Sequence, residues 1–168
     1  MTRFRIIKQL AIALSALPML SAPTAASAHS NGSVNCALAT TPLQFGEYAP
    51  FLGAPSDFTA TITVICTTAA IAAEPWDGTI ALIGAGRPGA RQLRQGPHPL
   101  DYRLYLDPAR TQPWGDGSGE GALLPVSGTV GPATPYRRVI VVYGRIPALQ
   151  TSATVGRYTD QITALLDY

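Results

Sequence analysis

The sequence predicts an all-β sandwich. Period-two alternation of apolar and polar residues recurs along the chain, while the 3.6-residue period of an amphipathic helix does not. Short alternating runs are separated by Gly/Pro/Asp/Ser clusters at 53–57, 84–89, 95–99, 113–121 and 131–135, the composition of turns. Many short strands with this punctuation and no helical segment point to two packed antiparallel sheets.

Residues 1–28 read as a secretory signal peptide and stand apart from the fold. Arg3, Arg5 and Lys8 make a basic start, Leu10–Leu20 an apolar run, and Ala26-Ser27-Ala28 a small-residue cleavage site. The apolar run is well short of the ~20 residues that span a bilayer, and no transmembrane segment is expected in the mature chain. The predicted mature chain, 29–168, is one ordinary domain, long enough to bury a core.

The strands follow in order. Residues 42–48 are a short candidate. From Phe58 to Cys66 (FTATITVIC), Phe58, Ala60, Ile62, Val64 and Cys66 share one face and threonines take most of the other. The Ala-rich stretch 69–73 is too short for an isolated helix and reads as a loop or one packed turn. Less regular candidates lie at 78–84, 122–130 and 137–146. From Leu100 to Leu106 the apolar set is Leu100, Tyr102, Leu104 and Leu106, opposed by Asp101, Arg103 and Tyr105. At the C-terminus Ile162, Ala164, Leu166 and Tyr168 alternate with Gln161, Thr163, Leu165 and Asp167. The chain stops on this strand, which raises the expectation of an unpaired sheet edge. Gly46 and Gly144 interrupt strand-like runs and mark bulges or close backbone approaches.

Charge excludes one class of partner. The predicted leader carries three cations, and beyond it nine Arg face ten Asp and Glu, a net charge of −1. The only basic cluster left is Arg137-Arg138, read as a solvated strand edge, so no nucleic-acid partner is expected. Arg145, beside Tyr143, could stack or pair with a carboxylate, but the better reading is again a solvated edge residue. Cys36 and Cys66 are both in the exported part, and an even pair in an oxidising compartment is most simply a disulfide. A bridge closing a loop of about 30 residues stabilises by roughly 3.7 kcal/mol in the chain-entropy model. A metal site would need more ligands than these thiols and His29 or His98 supply at any recognised spacing.

Nothing in the sequence specifies an enzyme. None of the six serines after residue 28 sits in a G-x-S-x-G elbow, and His98 lies in GPHP, which reads as a rigid turn. The loop DPARTQPWGDGSGEG (107–121) gathers Asp107, Asp116 and Glu120 around Trp114. Its acids lack EF-hand spacing, so a calcium site is the lesser reading, and a glycosidase pair would lack a sugar platform beyond Trp114. The better reading is a structural turn, Trp114, Gly115, Asp116 and Gly117, with Trp114 pinned to the sandwich. No metal or other cofactor is expected.

Read in order, several stretches resemble the spore coat protein U domain, the subunit domain of archaic (Csu-type) chaperone–usher pili. They are Cys36 followed by LQFGEY (43–48), TITVICT (61–67) with Cys66, LDYRLYLDPARTQPWGDG (100–117), VYGRIPALQ (142–150) and GRYTDQITALLDY (156–168). The resemblance implies an incomplete immunoglobulin-like β-sandwich lacking its final strand, completed by donor-strand complementation. It implies a periplasmic chaperone, an outer-membrane usher and other pilus subunits as partners, with export through the periplasm to the cell surface. It also implies that Cys36 and Cys66 form the family's disulfide. The expected strand-pairing edge is the C-terminal strand 158–168, carrying Tyr158, Ile162, Ala164, Leu166 and Tyr168. The function implied is a secreted structural subunit for adhesion and biofilm formation. The alternatives are a secreted spore or cell coat protein that forms no pili, and a calcium- or carbohydrate-binding module. One departure stands out: only HSNGSVN (29–35) precedes the first Cys. It reaches about 23 Å and has Val34 as its single sizeable apolar residue, so this subunit is expected to accept a strand and donate poorly, as a terminal or minor component.

Overall fold

The computed structural model describes residues 2–6 and 33–168, so most of the predicted leader and its cleavage site lie outside the described residues. The fold is all-β. Nine strands, β1 (Thr2–Ile6), β2 (Val34–Thr40), β3 (Ser56–Thr68), β4 (Glu74–Gly84), β5 (Arg91–Gln95), β6 (His98–Tyr105), β7 (Leu124–Val130), β8 (Tyr136–Ile146) and β9 (Ile162–Asp167), form two sheets. One has the order β1-β9-β4-β7 and the other β2-β3-β8-β6-β5. A single 3-10 turn, Pro88–Ala90, lies between β4 and β5.

Alternation sets which face of each strand is inside, because successive side chains leave a strand on opposite sides. Along β3, Ala60, Ile62, Val64 and Cys66 are buried, and along β9 Ile162, Ala164 and Leu166 are. β6 adds Leu100, Tyr102 and Leu104, and β4 adds Trp76, Ile80 and Leu82, so the inner faces of both sheets meet in one core. β3 and β8 pair over eleven residues, from Ser56↔Ile146 to Cys66↔Tyr136, and form the backbone of the larger sheet.

Several sequence expectations change. Residues 42–48 are not a strand: positive φ at Gly46 (+68°) breaks the extended run, and Phe45 drops into the core instead. β2 and β5 are further strands: β2 (VNCALAT) has a period-two pattern of its own, with Val34, Cys36 and Leu38 inward, whereas β5 (RQLRQ) is short and mostly polar and gives no periodic signal. The turn in GPHP is only Gly96-Pro97, because Gln95 pairs with His98 and His98-Pro99 already open β6. The 69–73 stretch is a loop, but Ile71 is fully exposed and packs on nothing. Arg145 is not a solvated edge residue: β8 is flanked by β3 and β6, and the Arg145 guanidinium holds Asp57 across β3 through two bonds of 2.6 and 2.7 Å. Arg110 approaches the same carboxylate at 3.3 Å.

The 107–121 loop is a corner fastened from within. Asp107 accepts bonds from the backbone N–H groups of Thr111 and Gln112 and from the Thr111 hydroxyl. Desolvation, the largest single influence, works against its charged form, but these donors together outweigh it and hold the carboxyl below its ordinary range. Asp116 closes an Asx turn on Ser118. Trp114 is fully buried and donates its indole N–H to the Ile80 carbonyl at 3.0 Å, tying the loop to β4. Pro88 fills the space between Gly115 and Gly121, and a Cβ at either glycine would collide with its ring.

Candidate functional site: an open gap between the sheets

The two sheets do not close on every side. β2 is the edge of the larger sheet, and its outer side carries no strand among the described residues. Across the sandwich stands β9, whose outer side is met among the described residues by β1, with Ile6↔Ile162 through Thr2↔Leu166 in antiparallel register. Between them a cleft of about 620 Å³ reaches into the core, floored by Ile62, Leu82, Leu104 and Ile146.

Its two walls are irregular segments held by specific contacts. The first, 40–48, follows β2. Gly46 turns the chain so that Phe45 lies edge-on to Phe58 and Tyr102, at ring separations of 5.8 and 5.6 Å. Gly144 on β8 makes the space for this wall, since a Cβ there would lie 2.7 Å from Leu43 and 3.0 Å from Phe45. Tyr48 locks the far end, donating its hydroxyl to the Pro147 carbonyl and accepting from the Gln150 N–H, each at 2.9 Å. The second wall, 153–160, precedes β9. The Tyr158 hydroxyl bonds both the N–H and the carbonyl of Thr154, and Thr159 exchanges two backbone bonds with Arg94.

Behind this second wall lies a buried polar group. Arg91 is 1 % exposed and donates one bond, to the Leu82 carbonyl at 2.7 Å, while its Nε and second terminal nitrogen have no partner. Burial pulls this guanidinium below its ordinary value, opposed by the nearby Tyr102 and Asp160. Tyr102 donates its hydroxyl to Asp160 at 2.6 Å, and burial, with that carboxylate beside it, pushes the phenol well above its usual range.

The end of the gap near β9's C-terminus is narrow. Tyr168 follows β9, stands edge-on to Trp76 at 6.4 Å, and accepts the Cys36 N–H on its hydroxyl at 3.0 Å. Cys36 is bonded to Cys66, directly opposite it on β3, which fastens β2 to the rest of its sheet.

The disulfide expected from the sequence is therefore present. Ile162, Ala164 and Leu166 lie together on β9 with their side chains in the core, so any pairing edge there is made by backbone groups alone. Tyr158 and Tyr168 lie outside the strand, one in a wall and one at the narrow end. The Trp114-Gly115-Asp116-Gly117 turn is remote from the β9 edge in role, anchoring β4 instead. The wall residues Leu43 and Phe45 and the buried Arg91 escape sequence reasoning. The only signal for the wall was the Phe-Gly pair at 45–46, and Arg91 sits in a polar run that gives none.

A family model described as Spore Coat Protein U domain matches residues 22–165. The chain belongs to the Spore Coat Protein U domain family. The match takes in β2 to β9 almost entirely and leaves β1 outside it. A search of curated proteins finds no match. Membership suggests a coat- or pilus-type structural subunit at or beyond the cell surface. Among the described residues no helix is long and apolar enough to cross a membrane, and no three His, Cys, Asp or Glu side chains gather as metal ligands.

Proposed function

We propose that this protein is an exported, non-enzymatic subunit of a chaperone–usher pilus that accepts a strand from another chain into the gap beside β9. The observation that supports this reading is the order of the strands and what stands beside β9. In an immunoglobulin sandwich one sheet runs A-B-E-D and the other C-F-G. β2, β3, β8 and β6 follow the first order, and β4 and β9 take the places of C and F. Among the described residues the place of G, beside β9, is taken by Thr2–Ile6 of the predicted leader, which lies outside the family-matched region. Loss of that leader on export would expose a row of backbone donors and acceptors alongside an apolar cleft. That combination recruits a strand, with main-chain bonds giving affinity and alternate side chains giving specificity.

A periplasmic chaperone would hold the edge first, and a donor segment of another subunit would replace it at the outer-membrane usher. Donation by this chain is poor. Val34, the one sizeable apolar residue between His29 and Cys36, already begins β2 and is 5 % exposed in its own core. This supports a terminal or minor position in the fibre, and a role in adhesion and biofilm formation.

The test is to express the protein with its own leader, alone and with a candidate chaperone, and to isolate it from the periplasm. A stable one-to-one complex supports the acceptor reading. A monomer that is equally stable and protease-resistant without any partner refutes it. Long homopolymers that survive SDS without boiling would refute the poor-donor assignment while leaving the acceptor role intact.

A further inference from the structure

We propose that Tyr168 is the end-stop of the acceptor gap, confining a complementing strand to the stretch of β9 from Ile162 to Leu166 and thereby setting its register. This rests on the acceptor reading above and adds a residue that limits what can be accepted.

Cys36 stands opposite Cys66 in the β2–β3 ladder, yet its N–H is given to the Tyr168 hydroxyl, across the gap, at 3.0 Å. A strand entering between β9 and β2 would compete for that same donor. Tyr168 therefore fills, with one side chain, the place an incoming backbone would need at this level.

The side chain is held there from several directions. Its ring meets Trp76 edge-on, with the planes at 85°. Trp76 is itself backed by Tyr136 at 5.1 Å. Gly78 on β4 leaves the room, because a Cβ at that position would lie 2.9 Å from the Tyr168 Cβ and against the Asp167 carbonyl. Among the described residues the opposite end of the gap has no such bridge: there the cleft opens between the 40–48 and 153–160 walls. The gap is thus a blind slot, open beside Ile162 and closed beside Tyr168.

A closed end matters because strand pairing has a period of two. A slip of one residue turns every side chain of the incoming strand from the core to solvent. Thr2–Ile6 lies antiparallel on β9, with Thr2 opposite Leu166. A strand in this orientation meets Tyr168 with its amino end, so its first paired residue is fixed opposite Leu166.

Two peptides test this on the exported protein recovered from the periplasm. One carries residues 2–10 (TRFRIIKQL), whose first five residues have a defined register on β9; the other has Thr-Val-Thr-Val added at its amino end. Wild type is expected to bind the two within about twofold of each other. Tyr168→Ala is expected to bind the longer one about tenfold more tightly, since the freed level offers at least one further backbone hydrogen bond. An equal gain for wild type and variant overturns the end-stop while leaving the acceptor reading standing. Failure of both peptides to bind either protein overturns the acceptor reading and the end-stop with it. Tyr168→Phe, which keeps the ring, supplies a readout that needs no peptide. Amide exchange at Cys36 should accelerate about tenfold when the hydroxyl is lost. Unchanged exchange there would mean that Tyr168 does not hold that donor, and overturns the proposal.

Discussion

Removing the Cys36–Cys66 bridge by the double change to Ala should cost a large share of the domain's stability without altering its fold. The bridge spans 30 residues and joins strands that seven register pairs already hold together. Its loss therefore falls mainly on the unfolded chain, which regains the freedom of an open loop. The chain-entropy relation gives about 3.7 kcal/mol for that length. Against the 5–15 kcal/mol typical of a domain, the variant would remain folded but close to the margin. The assay is urea unfolding of the exported protein, followed by the fluorescence of the buried Trp76 and Trp114. The expected result is a lower midpoint together with a steeper denaturant dependence, because an uncrosslinked chain exposes more surface on unfolding. A loss below about 1 kcal/mol would refute the reasoning. So would a full loss with an unchanged slope, which would place the effect in the native state rather than in the unfolded chain.

Trp114→Phe should destabilise by about 2 kcal/mol, because it removes the 3.0 Å bond to the Ile80 carbonyl and ring volume from a site with no exposure; a change under about 0.5 kcal/mol in the same urea assay would show that the loop is not anchored there. Arg91→Met should leave stability unchanged or raise it by up to about 2 kcal/mol, since the guanidinium is buried with two nitrogens unpartnered. A loss above about 2 kcal/mol would mean that the charge is satisfied in solution. Acid should destabilise the fold in a defined window. The Arg145 hydrogen bond, aided by Arg110, holds Asp57 below its ordinary value of 3.8. A depressed folded pKa gives stability that is present above the unfolded value and lost as pH falls through the folded one. Urea midpoints should thus be level from about pH 7 to 5 and fall below about pH 4, and Asp57→Asn should lessen the fall by about 0.5 kcal/mol. Midpoints that hold constant down to about pH 2.5 would contradict the assignment.

Most of the sandwich was legible where local pattern and burial agree. The runs 58–66, 100–106 and 160–168 alternate because one face of each meets the opposite sheet, and the structure buries those same faces. The cysteine pair was legible because redox compartment and an even count leave few alternatives. Residues 42–48 misled because Phe45 and Tyr48 look like strand residues, whereas a single positive φ at Gly46 converts the run into a cleft wall. Arg91 was invisible for a different reason: a polar residue in RQLRQ gives no sign of burial until the second wall and β4 are brought over it.

The sequence by itself determined the class of fold, the inward face of the long strands, the disulfide and the fastened corner at 107–121. Each of these follows from near neighbours in the chain or from a count. Only the tertiary structure decided the order of the strands, and with it which of them stand at the sheet edges among the described residues. Among the described residues β2 has no strand on its outer side and β9 has β1 there, and the two strands are more than 120 residues apart along the chain. The reason is that an unpaired edge is made of backbone N–H and C=O groups, which every strand carries. Which of them are left without a neighbour depends on how the sheets are ordered, and on a single tyrosine crossing from the end of one strand to the start of another.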